Sequence, residues 1–155
     1  MTRILMVCLG NICRSPLAQG ILESKLPEDE FYVDSAGTAS YHIGSAPDHR
    51  SVQVANLNGI DISYQQARKF KVEDFEKFDI IFAMDQYNEN DILHLAKSEA
   101  HRQKVKLILS ESSNSSIKDV PDPYYGTLID FKEVYELLDG ACQKVASNLL
   151  SDTTK

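Results

Sequence analysis

Four continuous apolar runs separated by stripes of helical period set the strongest limit on how this chain can fold. Arg3 to Val7 is the first run and Phe31 to Val33 the second; Phe78 to Met84 is the third and Val105 to Leu109 the fourth. Runs of this kind, without polar alternation, suit strands covered on both faces, the habit of parallel sheets. Between them, Ser15-Pro16 reads as a cap followed by proline in a first helical turn. Leu17, Ala18, Ile21, Leu22 and Lys25 continue it as a stripe. Gly20 inside that helix costs about 1 kcal/mol against Ala, which predicts close packing on the sheet. Pro47 to Leu57 reads as a second helix ended by Asn58-Gly59, and Gln86 to Lys97 as a third. Phe131, Val134, Leu138, Ala141, Val145 and Leu149 mark a long C-terminal helix. The alternation implies right-handed crossovers and a doubly wound α/β fold. A chain of 155 residues fits one domain, 1–155, with a substantial core. Glu111 to Ser116 is polar and turn-prone, a flexible surface loop ahead of Asp122.

The formal net charge of -7 argues against broad nucleic-acid binding, which needs clustered Lys and Arg. It leaves room for one locally positive pocket. No run approaches the ~20 apolar residues of a membrane span, and the start lacks the length and cleavage site of a signal peptide. Cys8, Cys13 and Cys142 form an odd set at spacings unlike a disulfide framework or a zinc site. Reduced thiols in the cytoplasm are the expectation.

Chemistry concentrates in Cys8-Leu9-Gly10-Asn11-Ile12-Cys13-Arg14-Ser15-Pro16, between the first strand and the first helix. In an open α/β sheet, ligands bind at the carboxyl ends of strands, against helix N-termini. The N–H groups of such a loop converge on one anion, and the helix dipole adds positive potential. Gly10 is expected to permit a tight path that a Cβ would obstruct. Arg14 offers a planar fork for two phosphate oxygens. The same donors favour the anion of the Cys8 sulfur, the attacking form of cysteine. Ser15 is placed to donate to that sulfur and stabilise it as a leaving group. A second segment, Val120-Pro121-Asp122-Pro123-Tyr124-Tyr125-Gly126, brackets a carboxyl between two prolines that stiffen its backbone. Asp122 can there protonate a leaving phenolate and then take a proton from water. Tyr124 and Tyr125 can form an aromatic wall for a substrate ring.

The Cys-x5-Arg-Ser loop near the N-terminus and the late Asp-Pro-Tyr-Tyr-Gly resemble the signatures of low-molecular-weight protein tyrosine phosphatases. Asp34-Ser35-Ala36-Gly37-Thr38, Gly44-x-x-Pro47-Asp48-x-Arg50, Ala67-Arg68 and Met84-Asp85 follow the same family pattern, in family order. The resemblance implies a single three-layer domain, with a four-stranded parallel sheet flanked by helices on both faces and a phosphate-binding loop after the first strand. It implies hydrolysis of protein phosphotyrosine and aryl phosphates through a phosphocysteine intermediate, with no metal and no cofactor. Tyrosine-phosphorylated proteins are then the substrates, and inorganic phosphate or vanadate the inhibitors. By position, Cys8 is the nucleophile, Arg14 the phosphate clamp and Asp122 the general acid and base. Leu9, Gly10, Asn11, Ile12, Cys13 and Ser15 bind phosphate or support the loop, and Tyr41, Tyr124 and Tyr125 flank the substrate crevice. Gln65 stands where many relatives carry a histidine hydrogen-bonded toward the loop's asparagine and serine. Gln can replace a hydrogen bond but cannot carry the charge.

Blander readings stand beside these. Asp122 can merely shape a turn, and Cys13 can be a packed thiol or, as in the family, a disulfide partner of Cys8 under oxidation. Cys142 lies on the apolar stripe of the last helix and reads as packing. His42, His49, His94 and His101 lack metal-ligand spacing and suit surface positions, with His42 compatible with substrate contact. Asp48 and Arg50 read as helix-end charge and a salt bridge, Asp85 as an orienting residue, and Lys69 to Lys77 as a solvated face. Two other functions compete. A thioredoxin-coupled arsenate reductase needs two further cysteines after the third strand, and 85–109 contains none. A phosphate-binding module without turnover is expected to lack Cys8 or Asp122, and both are present. Oligomeric state and any regulation through Tyr124 or Tyr125 are left open.

Overall fold

A computed structural model describes residues 1–111 and 116–153. The chain runs β1 (Thr2–Cys8), α1 (Arg14–Lys25), β2 (Phe31–Gly37), α2 (His49–Leu57), α3 (Asp74–Lys77), β3 (Ile80–Ala83), α4 (Gln86–Leu95), α5 (Glu99–Gln103), β4 (Val105–Leu107), a 3-10 turn (Ile108–Glu111) and α6 (Leu128–Thr153). The four strands form one parallel sheet in the order β2-β1-β3-β4. From β1 the chain therefore builds outward first to one side, through β2, and then to the other, through β3 and β4. The end of β1 is the switch point of the sheet, where α/β proteins place their ligands.

The period-2 geometry of β1 sends Ile4, Met6 and Cys8 into one apolar cluster and Leu5 and Val7 into another. The first cluster joins α1, α2 and α6 to the sheet through Leu17, Ile21, Val54, Phe131, Val134 and Leu138. The second joins the opposite face to Phe70, Phe75, Phe78 and Ile92. Helices thus cover both faces, which explains why β1 reads as an uninterrupted apolar run.

Several element limits differ from the sequence reading. β3 begins at Ile80, because Phe78 closes α3 with its N–H on the Asp74 carbonyl. β4 ends at Leu107, where the chain tightens into the 3-10 turn. α2 starts at His49, with the Asp48 carboxylate capping it by accepting from the Arg50 N–H at 2.9 Å. α4 stops at Leu95, and the short α5 that follows was not anticipated. The 69–77 stretch is not simply a solvated face: Phe70, Asp74 and Phe75 are buried within it. His101 is likewise buried, stacked on Phe75 at 4.5 Å and bonded through Nε2 to Glu76 at 2.7 Å. Of the predicted flexible loop, residues 112–115 lie outside the described residues.

Gly20 packs tightly, but not on the sheet as predicted. A Cβ built there would lie 2.5 Å from Ile62 Cγ2 and 3.1 Å from Ile60 Cγ2, in the segment after α2. Both neighbours are β-branched with few alternative rotamers. Gly20→Ala should therefore lower stability by about 1–3 kcal/mol, the usual cost of overpacking, despite Ala's better helix propensity. Urea unfolding measures this; an unchanged or raised midpoint would show that the 60–62 segment yields freely.

Candidate active site

Cys8 is the last residue of β1 and Arg14 the first of α1, so Leu9 to Cys13 form a loop at the switch point. Asn11 sets its shape. Its φ of 58° makes it the only non-glycine residue with positive φ among the described residues. Asn tolerates this region better than most residues. The tight path expected at Gly10 is thus carried by Asn11, while a Cβ on Gly10 would meet His42 Cδ2 at 3.1 Å.

The Asn11 side chain locks this conformation from three sides. Its Nδ2 donates to Ser15 Oγ at 2.7 Å and to Ser35 Oγ at 3.0 Å. Its Oδ1 accepts from the Arg68 N–H at 3.0 Å. Gly37 at the end of β2 lies directly against the loop: a Cβ there would be 2.7 Å from Leu9 O and 3.1 Å from Asn11 N. The loop is further tied down by Thr38 N–H to Cys8 O and Ala39 N–H to Leu9 O, both at 2.9 Å.

Cys8 is buried, with Sγ 3.3 Å from the Asn11 N–H that donates to it and 3.0 Å from Ser15 Oγ. Because Ser15 Oγ already accepts from Asn11, its own hydrogen is available to the sulfur. Arg14 is also buried. Its Nη1 donates to Asp85 Oδ2 at 2.6 Å and to the Val120 carbonyl at 2.9 Å, while Nη2 lies 3.7 Å from Asp122 Oδ2. Burial opposes its charge, but the facing Cys8 and Asp85, with Asp122, hold the guanidinium pKa above its ordinary value. Asp85 is itself fixed, capping α4 by accepting from Asn88 N–H at 2.8 Å.

Asp122 is about half exposed, and its Oδ1 accepts from the Tyr124 N–H at 3.1 Å. Arg50 holds this loop, a role the sequence reading missed. Its Nη1 donates to the Gly126 carbonyl and its Nη2 to the Tyr124 carbonyl, each at 2.9 Å, while Asp48 Oδ2 accepts from Nη2 at 2.9 Å. The Asp48 N–H in turn donates to the Ile12 carbonyl at 2.8 Å. One ion pair thus joins the Asp122 loop to the Cys8 loop. Fixed spacing between Gly44, Pro47, Asp48 and Arg50 was the only sequence signal for it.

These parts enclose a cavity of about 160 Å³ lined by Cys8, Leu9, Gly10, Ile12, Cys13, Arg14, His42, Asp122, Tyr124 and Tyr125. Asn11 and Ser15 stand behind its wall as supports. Tyr41, expected in the crevice, is 78% exposed and does not line it. The imidazole of His42 takes that place, stacked on Tyr124 at 6.1 Å and edge-on to Tyr41 at 6.5 Å. Gln65 donates from Nε2 to the Pro16 carbonyl at 3.1 Å rather than to Asn11 or Ser15. Burial first, then the negative charges of Asp48 and Cys8, pushes the Cys13 thiol far above its ordinary range. Burial also pushes Cys142 up to about 12, on the packed face of α6. Among the described residues no group of His, Cys, Asp and Glu could hold a metal ion, and no helix is long and apolar enough to cross a membrane.

A sulfur that accepts from the Asn11 N–H, a buried guanidinium and a half-exposed carboxyl thus share one cysteine-centred cavity at the switch point of a doubly wound sheet. Comparison with known proteins makes the class specific. The sequence model of the low molecular weight phosphotyrosine protein phosphatases matches residues 3–155. A low molecular weight phosphotyrosine protein phosphatase of Dictyostelium discoideum is 42% identical over 149 residues, covering 83% of each chain. The crystal structure of a protein tyrosine phosphatase from Entamoeba histolytica, with Hepes in its active site, superposes with a TM-score of 0.92 at 34% identity over 99% of each chain. Wzb of Vibrio vulnificus, in complex with benzylphosphonate, does so with a TM-score of 0.85 at 31% identity, covering 95% of this chain and 98% of that one. The chain belongs to the low molecular weight phosphotyrosine protein phosphatase family, and the protein is a protein-tyrosine-phosphatase.

The left-handed turn at Asn11 yields a test. Asn11→Ala and Asn11→Gly both lose the three amide bonds, but only Ala pays the left-handed penalty of about 1–2 kcal/mol. Urea titration should rank wild type above Asn11→Gly and Asn11→Gly above Asn11→Ala by about 1 kcal/mol. Equal stability of the two variants would remove the backbone conformation from the account.

Proposed function

We propose that the protein hydrolyses phosphotyrosine in proteins, and aryl phosphates generally, with Cys8 as nucleophile, Arg14 as phosphate clamp and Asp122 as general acid and base. The observation that carries this reading is the position of Cys8 Sγ, bonded by Asn11 N–H and beside Ser15 Oγ, at a cavity shared with Arg14 and Asp122.

Amides of the Leu9–Cys13 loop and the Arg14 guanidinium receive the phosphate dianion. Asp85 and the Val120 carbonyl hold Nη1, so the fork is oriented before substrate arrives and little entropy is lost on binding. The Cys8 thiolate attacks phosphorus as the bond from phosphorus to the aryl oxygen breaks. Asp122 gives its proton to that oxygen, whose conjugate acid has a pKa of ~10. A water then attacks the phosphocysteine, giving its proton to the Asp122 carboxylate. The phosphorus–sulfur bond breaks, the Ser15 hydroxyl steadies the departing thiolate, and phosphate leaves. Tyr124 and His42 offer ring faces to the aryl group, and the burial of Cys8 favours a long phosphotyrosine side chain over phosphoserine. The benzylphosphonate held by the Vibrio vulnificus relative is a compound of that aryl type.

Hydrolysis of a generic aryl phosphate tests the assignment. Activity should survive EDTA, yield to vanadate and phosphate, and vanish in Cys8→Ser. Asp122→Ala should cut kcat by ~10²–10⁴-fold with vanadate affinity little changed. An equal fall in vanadate affinity would remove Asp122 from the acid role.

A further inference from the structure

A second cavity lies apart from the one above Cys8. A space of about 560 Å³ runs along β2 and shares no lining residue with the Cys8 cavity. β2 is the outermost strand of the sheet, and only its Gly37 end is bridged, to Lys69. Beside Phe31 to Ser35 the edge instead faces this space, with α1 and the segment from Tyr64 to Gln66 as the other walls.

Two features give the cavity a chemical preference. The first is Gln65, which is only 7% exposed. Its Nε2 donates to the Pro16 carbonyl, which fixes the amide orientation, and its Oε1 is buried without a hydrogen-bond partner among the described residues. A buried acceptor in that state favours any ligand that brings a donor. The second is charge. Glu23, Glu28 and Asp34 line the cavity and no Lys or Arg does. Asp34 is paired with Arg68 at 3.1 Å, whereas the Glu23 carboxylate is met by a neutral partner, the Tyr64 hydroxyl at 3.0 and 3.1 Å. Partial desolvation where the cavity wall covers it, chiefly, holds the Glu23 carboxyl above its ordinary pKa, although the residue keeps a solvent-exposed side. Between these polar groups lie Leu26, Phe31 and Val33.

We propose that this cavity binds a small organic cation with N–H donors on its head, an alkylguanidinium or alkylammonium. The head meets Glu23 and Gln65 Oε1, and the alkyl stem lies on Phe31 and Val33. Guanidinium and ammonium heads supply both what the carboxylate lacks, a charge, and what the amide oxygen lacks, a proton donor. The site is independent of the catalytic reading, since its test measures binding and not turnover.

Calorimetry with the full chain near neutral pH, using agmatine as probe, should give saturable one-to-one binding. Saturating vanadate should leave it in place, because the two cavities are separate. Glu23→Gln and Gln65→Met should each weaken binding about tenfold or more. Glu23 is on the exposed side of α1, so its variant remains informative if Gln65→Met fails to fold. A parallel titration with the tripeptide Gly-Arg-Gly separates the sources: tighter binding of agmatine assigns the site to a free cation, and tighter binding of the peptide to an arginine side chain. Absence of saturable binding of either probe up to roughly 10 mM, equal affinity in wild type and both variants, or displacement by vanadate would overturn the proposal.

Discussion

The left-handed Asn11 and the three bonds of its amide are the constraint on which the catalytic arrangement depends. A loop that turns its N–H groups inward leaves its own backbone unsupported by helix or sheet, so something else must hold it. Asn11 does so by joining three separate elements: Ser15 on α1, Ser35 on β2 and the Arg68 backbone beside the sheet edge. Arg68 is in turn held by Asp34 and by the buried Asp74, so the brace ends on fixed groups rather than on mobile ones. The strain of the turn is thereby offset by bonds that exist only in the folded chain. Ser15 gains most from this. With one lone pair engaged by Asn11, its hydroxyl hydrogen is directed to the Cys8 sulfur instead of rotating freely.

A second set of fixed charges relates the acid loop to the cradle. Arg14 reaches β3's end through Asp85 and the acid loop's start through Val120. Arg50 reaches the far end of the same loop through the Tyr124 and Gly126 carbonyls and stacks over Phe131 at 4.3 Å. Asp122 thus lies between two arginine anchors, each half-satisfied by backbone carbonyls. Backbone acceptors of this kind cannot titrate, so these two anchors hold the loop whatever the charge state around them.

Much of this was legible in the sequence, for identifiable reasons. The central strand β1 announced itself because both its faces are covered, leaving no polar alternation from Ile4 to Cys8. Cys8, Arg14, Asp122, Tyr124 and Tyr125 lie on loops whose residue types serve chemistry more than packing, and the structure brings them to one cavity. What escaped was tertiary. The tight turn was assigned to Gly10, although an Asn with three partners reaches the left-handed region as well; those partners lie 4, 24 and 57 residues away in sequence. Tyr41 was preferred over His42 for the crevice, because the direction of a side chain in an irregular loop has no periodicity to read. His101 looked like a surface histidine until Phe75, from a different element, provided its stacking partner. Gly20 was known to be crowded, but the residues that crowd it, Ile60 and Ile62, come from a segment with no regular structure.

An acidic chain that binds a dianion poses an electrostatic problem, which distance resolves. At physiological ionic strength charges more than about 8 Å apart are largely screened, so the net charge of -7 has little influence inside the cavity. What counts there is the local set: one guanidinium, the loop amides and the first turn of α1 against the Cys8 sulfur, Asp85 and Asp122. Asp85 is bound to the rear of Arg14 and accepts from the α4 N-terminus as well, so part of its charge is spent on groups away from the cavity. Asp122 alone remains beside the cavity, half exposed and 3.7 Å from Nη2. An incoming oxyanion therefore competes with one carboxylate for one arginine.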